Sequence, residues 1–157
     1  HVLFSFHGLP LRHLKKSDTS GNWCRNNHDC CLKLTNQNKY CYSAHCHETS
    51  KLIAESLNLD EEKWSVSFQS RFGREEWVKP YTEKHLEELA KNGVKRVLVF
   101  CPSFVADCLE TIEEIGIQAA ENFQKYGGKK LILVHSLNDH PEWIKSLTSI
   151  IRQKISF

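Results

Sequence analysis

At 157 residues, 40% of them hydrophobic, the chain is long enough for one domain with a real core. A net charge of +2 with histidine neutral gives no basic excess of the kind that binds nucleic acid, and no apolar run approaches the ~20 residues of a membrane span. No signal-peptide pattern is read, methionine is absent, and the first residues already follow a strand pattern, so the chain is expected to be a piece of a longer protein.

In chain order, Val2–Phe6 reads as a strand and Tyr42–Leu57 as a helix with apolar Leu52, Ile53 and Leu57. Trp64–Phe68 is a second strand. Thr82–Asn92 is a helix, with Thr82 as its expected N-cap and Gly93 as C′. Val94–Cys101 is a third strand, whose apolar end, Val97–Cys101, reads as buried. Val105–Tyr126 is a long helix closed by Gly127 and Gly128. Leu131–His135 is the fourth strand. Pro141–Ile155 is the last helix, with Asp139 or His140 at its cap and Pro141 in its first turn. Strands alternating with helices and no internal repeat predict an α/β fold. It is Rossmann-like and three-layered, with a four-stranded parallel sheet flanked by helices in a single domain over 1–157.

Parallel strands place their carboxyl ends on one edge, where ligands bind in open α/β sheets. Three strand ends carry polar groups there. The first ends in SFHGLP, with Ser5 and His7. The second ends in FQSRFG, with Gln69, Ser70 and Arg71. The third feeds the acidic stretch holding Asp107, Glu110, Glu113 and Glu114. Glu110 and Glu114 are spaced i, i+4, and Asp107 precedes Glu110 by three, so the three are expected on one helix face, with mutual repulsion and partial burial raising their pKa values. Two readings stand for this stretch: a solvated helix start that suits the helix dipole, or a site. His7 is likewise either a hydrogen-bonded loop residue or a general base facing the carboxylates, which could also hold a divalent cation.

HGLP at residues 7–10, FQSRFGREEWVKPYT at 68–82, CPSFVADCLETIEEI at 101–115 and SLN at 136–138, in order over nearly the whole chain, resemble the C-terminal half of ferrochelatases, the proteobacterial members above all. The resemblance implies insertion of Fe²⁺ into protoporphyrin IX, the last step of haem synthesis. It also implies a missing N-terminal half that supplies the other wall of the porphyrin cleft, so the isolated piece is expected to be inactive. It implies that His7 and Glu110 are catalytic, and that His7, Glu110 and Glu114 handle the metal. Trp77 and Ser70 would line the porphyrin pocket, Trp77 having a core position as its other reading. Gln118 and Cys108 depart from the family pattern, standing where many members have a carboxylate and a histidine. Metal can enter only once two pyrrole N–H protons leave; imidazole can take one, and carboxylates can carry protons or hold Fe²⁺ weakly enough to release it. A cytoplasmic protein, or one peripheral at the inner membrane, is expected.

Five of the seven cysteines fall in the polar stretch between Trp23 and His47, which also holds Asn22, Asn26, Asn27, Asn36 and Asn38. Beside the family this is an inserted loop, 19–41. Because ordinary members can carry a cysteine where Cys46 stands, Cys24, Cys30, Cys31 and Cys41 are the additional four. Their spacing fits no standard zinc finger. The resemblance favours a 2Fe–2S cluster, then zinc, then free thiols, in a loop with little else to order it. A non-catalytic metal- or tetrapyrrole-binding half-domain is the reading from another class. Within the enzyme reading, coproporphyrin or a sirohydrochlorin-like ring is the alternative substrate.

Overall fold

Alternating side chains make β1 (Val2–His7) the centre of the molecule. Phe4 and Phe6 point to one face of the sheet, where they pack with Leu11, Leu14, Ala44, Cys46, Ala54 and Val66; Leu3 points to the other, joining Leu86, Val97, Val99, Ile115 and Phe123. The computed structural model describes residues 1–24 and 29–155; Asn26 and Asn27 of the polar stretch lie outside them. With β2 (Trp64–Gln69), β3 (Arg96–Phe100) and β4 (Lys130–Leu133), the sheet runs β2-β1-β3-β4, every pair parallel. The chain leaves β1 towards β2 on one side, then crosses back to β3 on the other. The β1/β3 boundary is therefore the topological switch point, with His7 at its carboxyl edge.

On the Phe4 face lie α1 (Leu11–Lys16) and α2 (Tyr42–Ser56); on the Leu3 face lie α3 (Thr82–Lys91) and a long helix. That helix has three parts: α4 (Leu109–Thr111), a π-helical stretch Ile112–Ala119, and α5 (Ala120–Lys125). The last helix, α6 (Pro141–Ile155), buries none of its residues. No helix among the described residues is long and apolar enough to cross a membrane.

Several local expectations are corrected. α1 is a helix beyond those the residue pattern predicts; Leu11 and Leu14, one turn apart behind Pro10, are its buried anchors. α2 does not bury Leu52 or Leu57, which are 56% and 58% exposed; it buries Ser43, Ala44, Cys46, Ser50 and Ala54, small residues that let its backbone approach the sheet. Thr82 is not the cap of α3, a position taken by Tyr81; its side chain is buried and hydrogen-bonded to the strands. The long helix starts at Leu109 and not at Val105, because residues 101–108 are held in turns by the end of β4. Gly93 does follow α3 as expected, with φ +89°. Of the two cap residues for α6, His140 serves, its Nδ1 accepting from the Glu142 N–H at 3.3 Å.

Candidate functional site

The first strand delivers His7 to the sheet edge and then turns sharply. Gly8 is required there: a Cβ would lie 2.9 Å from the Gln69 carbonyl and 3.1 Å from the Trp77 ring. The backbone of His7 is fixed on both sides, its N–H donating to Ser103 Oγ and its carbonyl accepting from the Tyr42 hydroxyl. The ring lies between Trp77 and Phe104, with centroids 6.3 and 6.0 Å away. His7 Nδ1 stands 2.6 Å from the Gly8 carbonyl. A carbonyl only accepts, so Nδ1 carries the proton and Nε2 presents a lone pair.

A buried polar chain connects this strand to the acidic helix. The Ser67 hydroxyl donates to Thr82, Thr82 to Ser5, and Ser5 to Gln69 Oε1 at 2.8 Å, all four side chains being buried. Gln69 then turns its amide outward. Nε2 donates to the Glu110 carbonyl at 2.6 Å and to Glu114 Oε2 at 3.3 Å. Glu114 also accepts from the Ser70 N–H and hydroxyl, both at 2.7 Å. Ser70 adopts φ +62°, a left-handed conformation costly for a residue with a Cβ, and it aims both donors at one carboxylate. Gln69, one of the polar groups expected at this edge, is a positioning residue, a role the residue pattern did not give it.

Glu110 opens α4, one residue after Leu109. A hydrogen bond from the neighbouring Cys108 thiol, helped by the Glu110 backbone N–H, holds its carboxyl below the usual value. The expected upward shift is therefore reversed: helix-start donors outweigh burial. The π-helical stretch begins two residues later, and such widened turns recur at functional sites. Within it Gln118 donates to Glu113, five residues back, and not to Glu114.

Asp107 does not share the Glu110 helix face, since it precedes the helix. Its carboxylate gathers the end of β4, accepting from the Asn138 side chain at 2.9 Å, the Ser136 N–H at 3.0 Å and Thr111 Oγ1 at 3.2 Å, with His135 at 3.3 Å. The Asn138 amide, then the Ser136 N–H, pull its pKa well below the carboxylate range. Asp107→Asn is accordingly expected to cost roughly 1–3 kcal/mol at pH 7, by turning an acceptor into a donor against Asn138 and Ser136. A lowered folded pKa stabilises fully above the unfolded value of ~3.9 and is lost as pH falls. Urea denaturation of both proteins should show the gap intact above about pH 4 and closing below it; a constant gap at all pH values would remove the ionic account.

The edge around these groups is open and partly apolar. Phe72 is 85% exposed and Leu109 77%. Trp77 is buried against Gly8 and the His7 ring, and its indole Nε1 has no hydrogen-bond partner among the described residues. A groove of about 400 Å³, lined by Gln69, Ser70, Arg71, Tyr81 and Glu114, opens beside it. A larger concavity, 660 Å³, lies elsewhere, between residues 29–33 and α2, with His47 and Trp64 in its walls and none of the catalytic candidates.

The cysteines form a separate feature. Cys24, Cys30, Cys31 and Cys41 all line one small cavity of about 10 Å³, together with Trp23 and Asn38. Cys31 Sγ is 3.5 Å from Cys30 Sγ and 3.9 Å from Cys41 Sγ, too far for disulfides. Two sulfurs on one tetrahedral metal at ~2.3 Å stand about 3.8 Å apart. Among the described residues no group of three or more His, Cys, Asp or Glu is arranged so that it could hold a metal ion. Cys41 is the N-cap of α2; the Cys31 thiol and the backbone N–H groups of Ala44 and Ser43 bring its pKa down to about 6 and Cys31 correspondingly up. Burial pushes Cys46 and Cys101 up to about 12. The loop is not otherwise without order. Buried Asn38 donates to the Cys30 and Lys33 carbonyls and accepts from Thr35, while Asp18 holds the Trp23 and Cys24 N–H groups at 2.8 and 2.6 Å.

Comparison with known proteins agrees with this geometry. Residues 1–155 match the family model described as Ferrochelatase. The chain is 54% identical over 151 residues to a ferrochelatase of Pseudomonas fluorescens strain Pf0-1, which aligns with 96% of this chain and 44% of the relative. It is 52% identical over 153 residues to a ferrochelatase of Azotobacter vinelandii (97% and 45%), and 47% identical over 155 to one of Coxiella burnetii strain Dugway 5J108-111 (99% and 44%). The chain thus spans less than half the length of these relatives, and it belongs to the ferrochelatase family.

Proposed function

We propose that the chain is the C-terminal catalytic half of a ferrochelatase that inserts Fe²⁺ into protoporphyrin IX, releasing two protons as the haem forms. The observation that carries this is His7 at the switch point, its Nδ1–H committed to Gly8 and its Nε2 lone pair available, beside a Glu110 carboxylate kept ionised. In this reading the His7 Nε2 takes a pyrrole proton, and Glu110 takes the proton onward or meets the incoming Fe²⁺. Glu114, held by Ser70 and Gln69, is a fixed negative charge behind Glu110 that favours both cations. Exposed Phe72 and Leu109 suit a flat apolar macrocycle. Ser70 acts through Glu114. The second wall of the cleft is assigned to the remainder of the longer protein, which is placed in the cytoplasm or at the surface of the inner membrane. The test is an anaerobic metallation assay on the full-length protein with Fe²⁺ and protoporphyrin, coproporphyrin and sirohydrochlorin in parallel. Insertion into protoporphyrin is expected; insertion only into another ring would move the substrate assignment.

The cysteine loop is proposed to hold a 2Fe–2S cluster through Cys24, Cys30, Cys31 and Cys41, with structural zinc as the other occupant. Support comes from the shared cavity, from sulfur spacings close to those of two ligands on one metal, and from a Cys41 thiol whose pKa is lowered by its neighbours. Such a cluster would supply one-electron redox chemistry or rigidity, away from the pyrrole nitrogens. Protein purified without oxygen is expected to be red-brown, with about two irons per chain and absorption that dithionite bleaches. Serine at any of the four positions should remove the colour, while Cys46→Ser, Cys101→Ser and Cys108→Ser keep it. Colourless protein with one zinc per chain would establish the zinc alternative.

A further inference from the structure

The main chain of His7 is satisfied by groups that the sheet does not provide. β1 pairs with β3 only as far as Phe4 beside Phe100, so at residue 7 the neighbouring strand has already ended. The His7 N–H and carbonyl both turn to that side, while the next N–H, that of Gly8, turns to β2 and donates to the Gln69 carbonyl at 2.8 Å. Two hydroxyls stand in for the missing strand. The His7 N–H donates to Ser103 Oγ at 3.2 Å, and the His7 carbonyl accepts from the Tyr42 hydroxyl at 2.9 Å. The hydroxyls also meet each other, Ser103 donating to the Tyr42 oxygen, with Cys46 lying behind it. The bonds close a cycle: His7 N–H to Ser103, Ser103 to Tyr42, Tyr42 to the His7 carbonyl. Each hydroxyl uses its single proton once, and hydrogen bonds linked in this way strengthen one another.

The cycle reaches the imidazole through the peptide unit that joins His7 to Gly8. Tyr42 holds the carbonyl of that unit and Gln69 its N–H, so its plane is fixed from both sides. Glycine has little backbone preference of its own, and this fixed plane is what directs the Gly8 carbonyl to 2.6 Å from His7 Nδ1. That contact commits the imidazole proton to Nδ1 and leaves Nε2 basic. Tyr42 opens α2 on the Phe4 face, and Ser103 precedes Phe104, which packs on the Leu3 face and against the His7 ring. The two hydroxyls therefore tie His7 to both layers that flank the sheet.

We propose that Tyr42 and Ser103 are positioning residues for metal insertion, a two-hydroxyl clamp that fixes the His7 tautomer and the direction of its Nε2 lone pair. The inference rests on the reading of His7 as the proton acceptor. Each hydroxyl acts through the main chain of His7.

The test uses the full-length protein. Tyr42→Phe keeps the aromatic ring and removes the donor. Its kcat for Fe²⁺ insertion is expected to fall about 10–10²-fold, with the KM values for protoporphyrin and Fe²⁺ unchanged. Ser103→Ala should lower kcat in the same sense, and Ser103→Thr, which keeps a hydroxyl, should restore it. Tyr40→Phe, at an exposed tyrosine just before α2, is the unaffected control. Nitrogen-15 NMR of histidine-labelled protein above the imidazole pKa supplies a readout besides turnover, the His7 signals being assigned by their loss in His7→Asn. Wild type should show the Nδ1–H tautomer and Tyr42→Phe a mixture of the two. An unchanged kcat in Tyr42→Phe, or a pure Nδ1–H tautomer kept in that variant, would overturn the inference alone. Full turnover in His7→Asn would overturn the reading of His7 as the base, and the catalytic role of the clamp with it, even where Tyr42→Phe still shifts the tautomer.

Discussion

His7→Ala in the full-length protein is expected to lower metal insertion by about 10²–10⁴-fold while leaving the circular dichroism spectrum unchanged. The size follows from the role. The Nε2 lone pair is the basic site that the geometry directs into the open edge, because Nδ1 is occupied by the Gly8 carbonyl. The fold should survive because the contacts that hold residue 7 are largely main-chain: its N–H to Ser103, its carbonyl to Tyr42, and its pairing beside Gln69. His7→Asn separates basicity from shape. Its amide can still donate to Gly8, but it offers no basic nitrogen. Both variants should therefore be equally inactive. Recovery of turnover in the asparagine variant would mean that His7 orients the turn and that the base lies elsewhere.

Glu110→Gln and Glu114→Gln are expected to fail in different ways. Gln69 uses only the backbone carbonyl of Glu110, so the Glu110 carboxylate, met by the Cys108 thiol and by its own backbone N–H, keeps lone pairs for chemistry. Removing its charge should reduce the insertion rate by at least ~10²-fold, with little change in stability. Glu114 sits inside a cage of donors: the Ser70 N–H, the Ser70 hydroxyl and the Gln69 amide. A glutamine there would turn an amide donor towards these donors, and roughly 1–3 kcal/mol of stability should be lost, with a smaller direct effect on rate. Paired urea denaturation and anaerobic insertion kinetics separate the two. Because Glu110 is held ionised by the Cys108 thiol, Cys108→Ala should raise the pH at which activity is lost on the acid side. Equal kinetic losses with equal stability in both glutamine variants would point to a diffuse negative field and away from a directed role for Glu110.

These two outcomes depend on information of different ranges. The strand and helix order, and the arrival of His7, Gln69 and the acidic stretch at one sheet edge, follow from the chain itself. Periods of two and of 3.6, together with turn residues such as Gly8, Gly93 and Pro141, are local properties, and parallel strands put their carboxyl ends together. The family likeness is equally legible, in HGLP, FQSRFG and CPSFVADCLETIEEI. Tertiary structure decided what those residues do to one another. The helix carrying Glu110 starts late because Asp107 is bound to Ser136 and Asn138, some 30 residues ahead. Gln69 reaches across 41 residues to the Glu110 carbonyl, and Ser70 across 44 to Glu114. α2 hides small residues and exposes Leu52 because the sheet demands close approach and not bulk. The four cysteines share one cavity because Asp18 and Asn38 fold the loop over it. Hydrogen bonds between groups this far apart in sequence leave no periodic trace, so the residue pattern determines the frame and the edge, while long-range polar contacts decide which carboxylate is fixed and which is free to react.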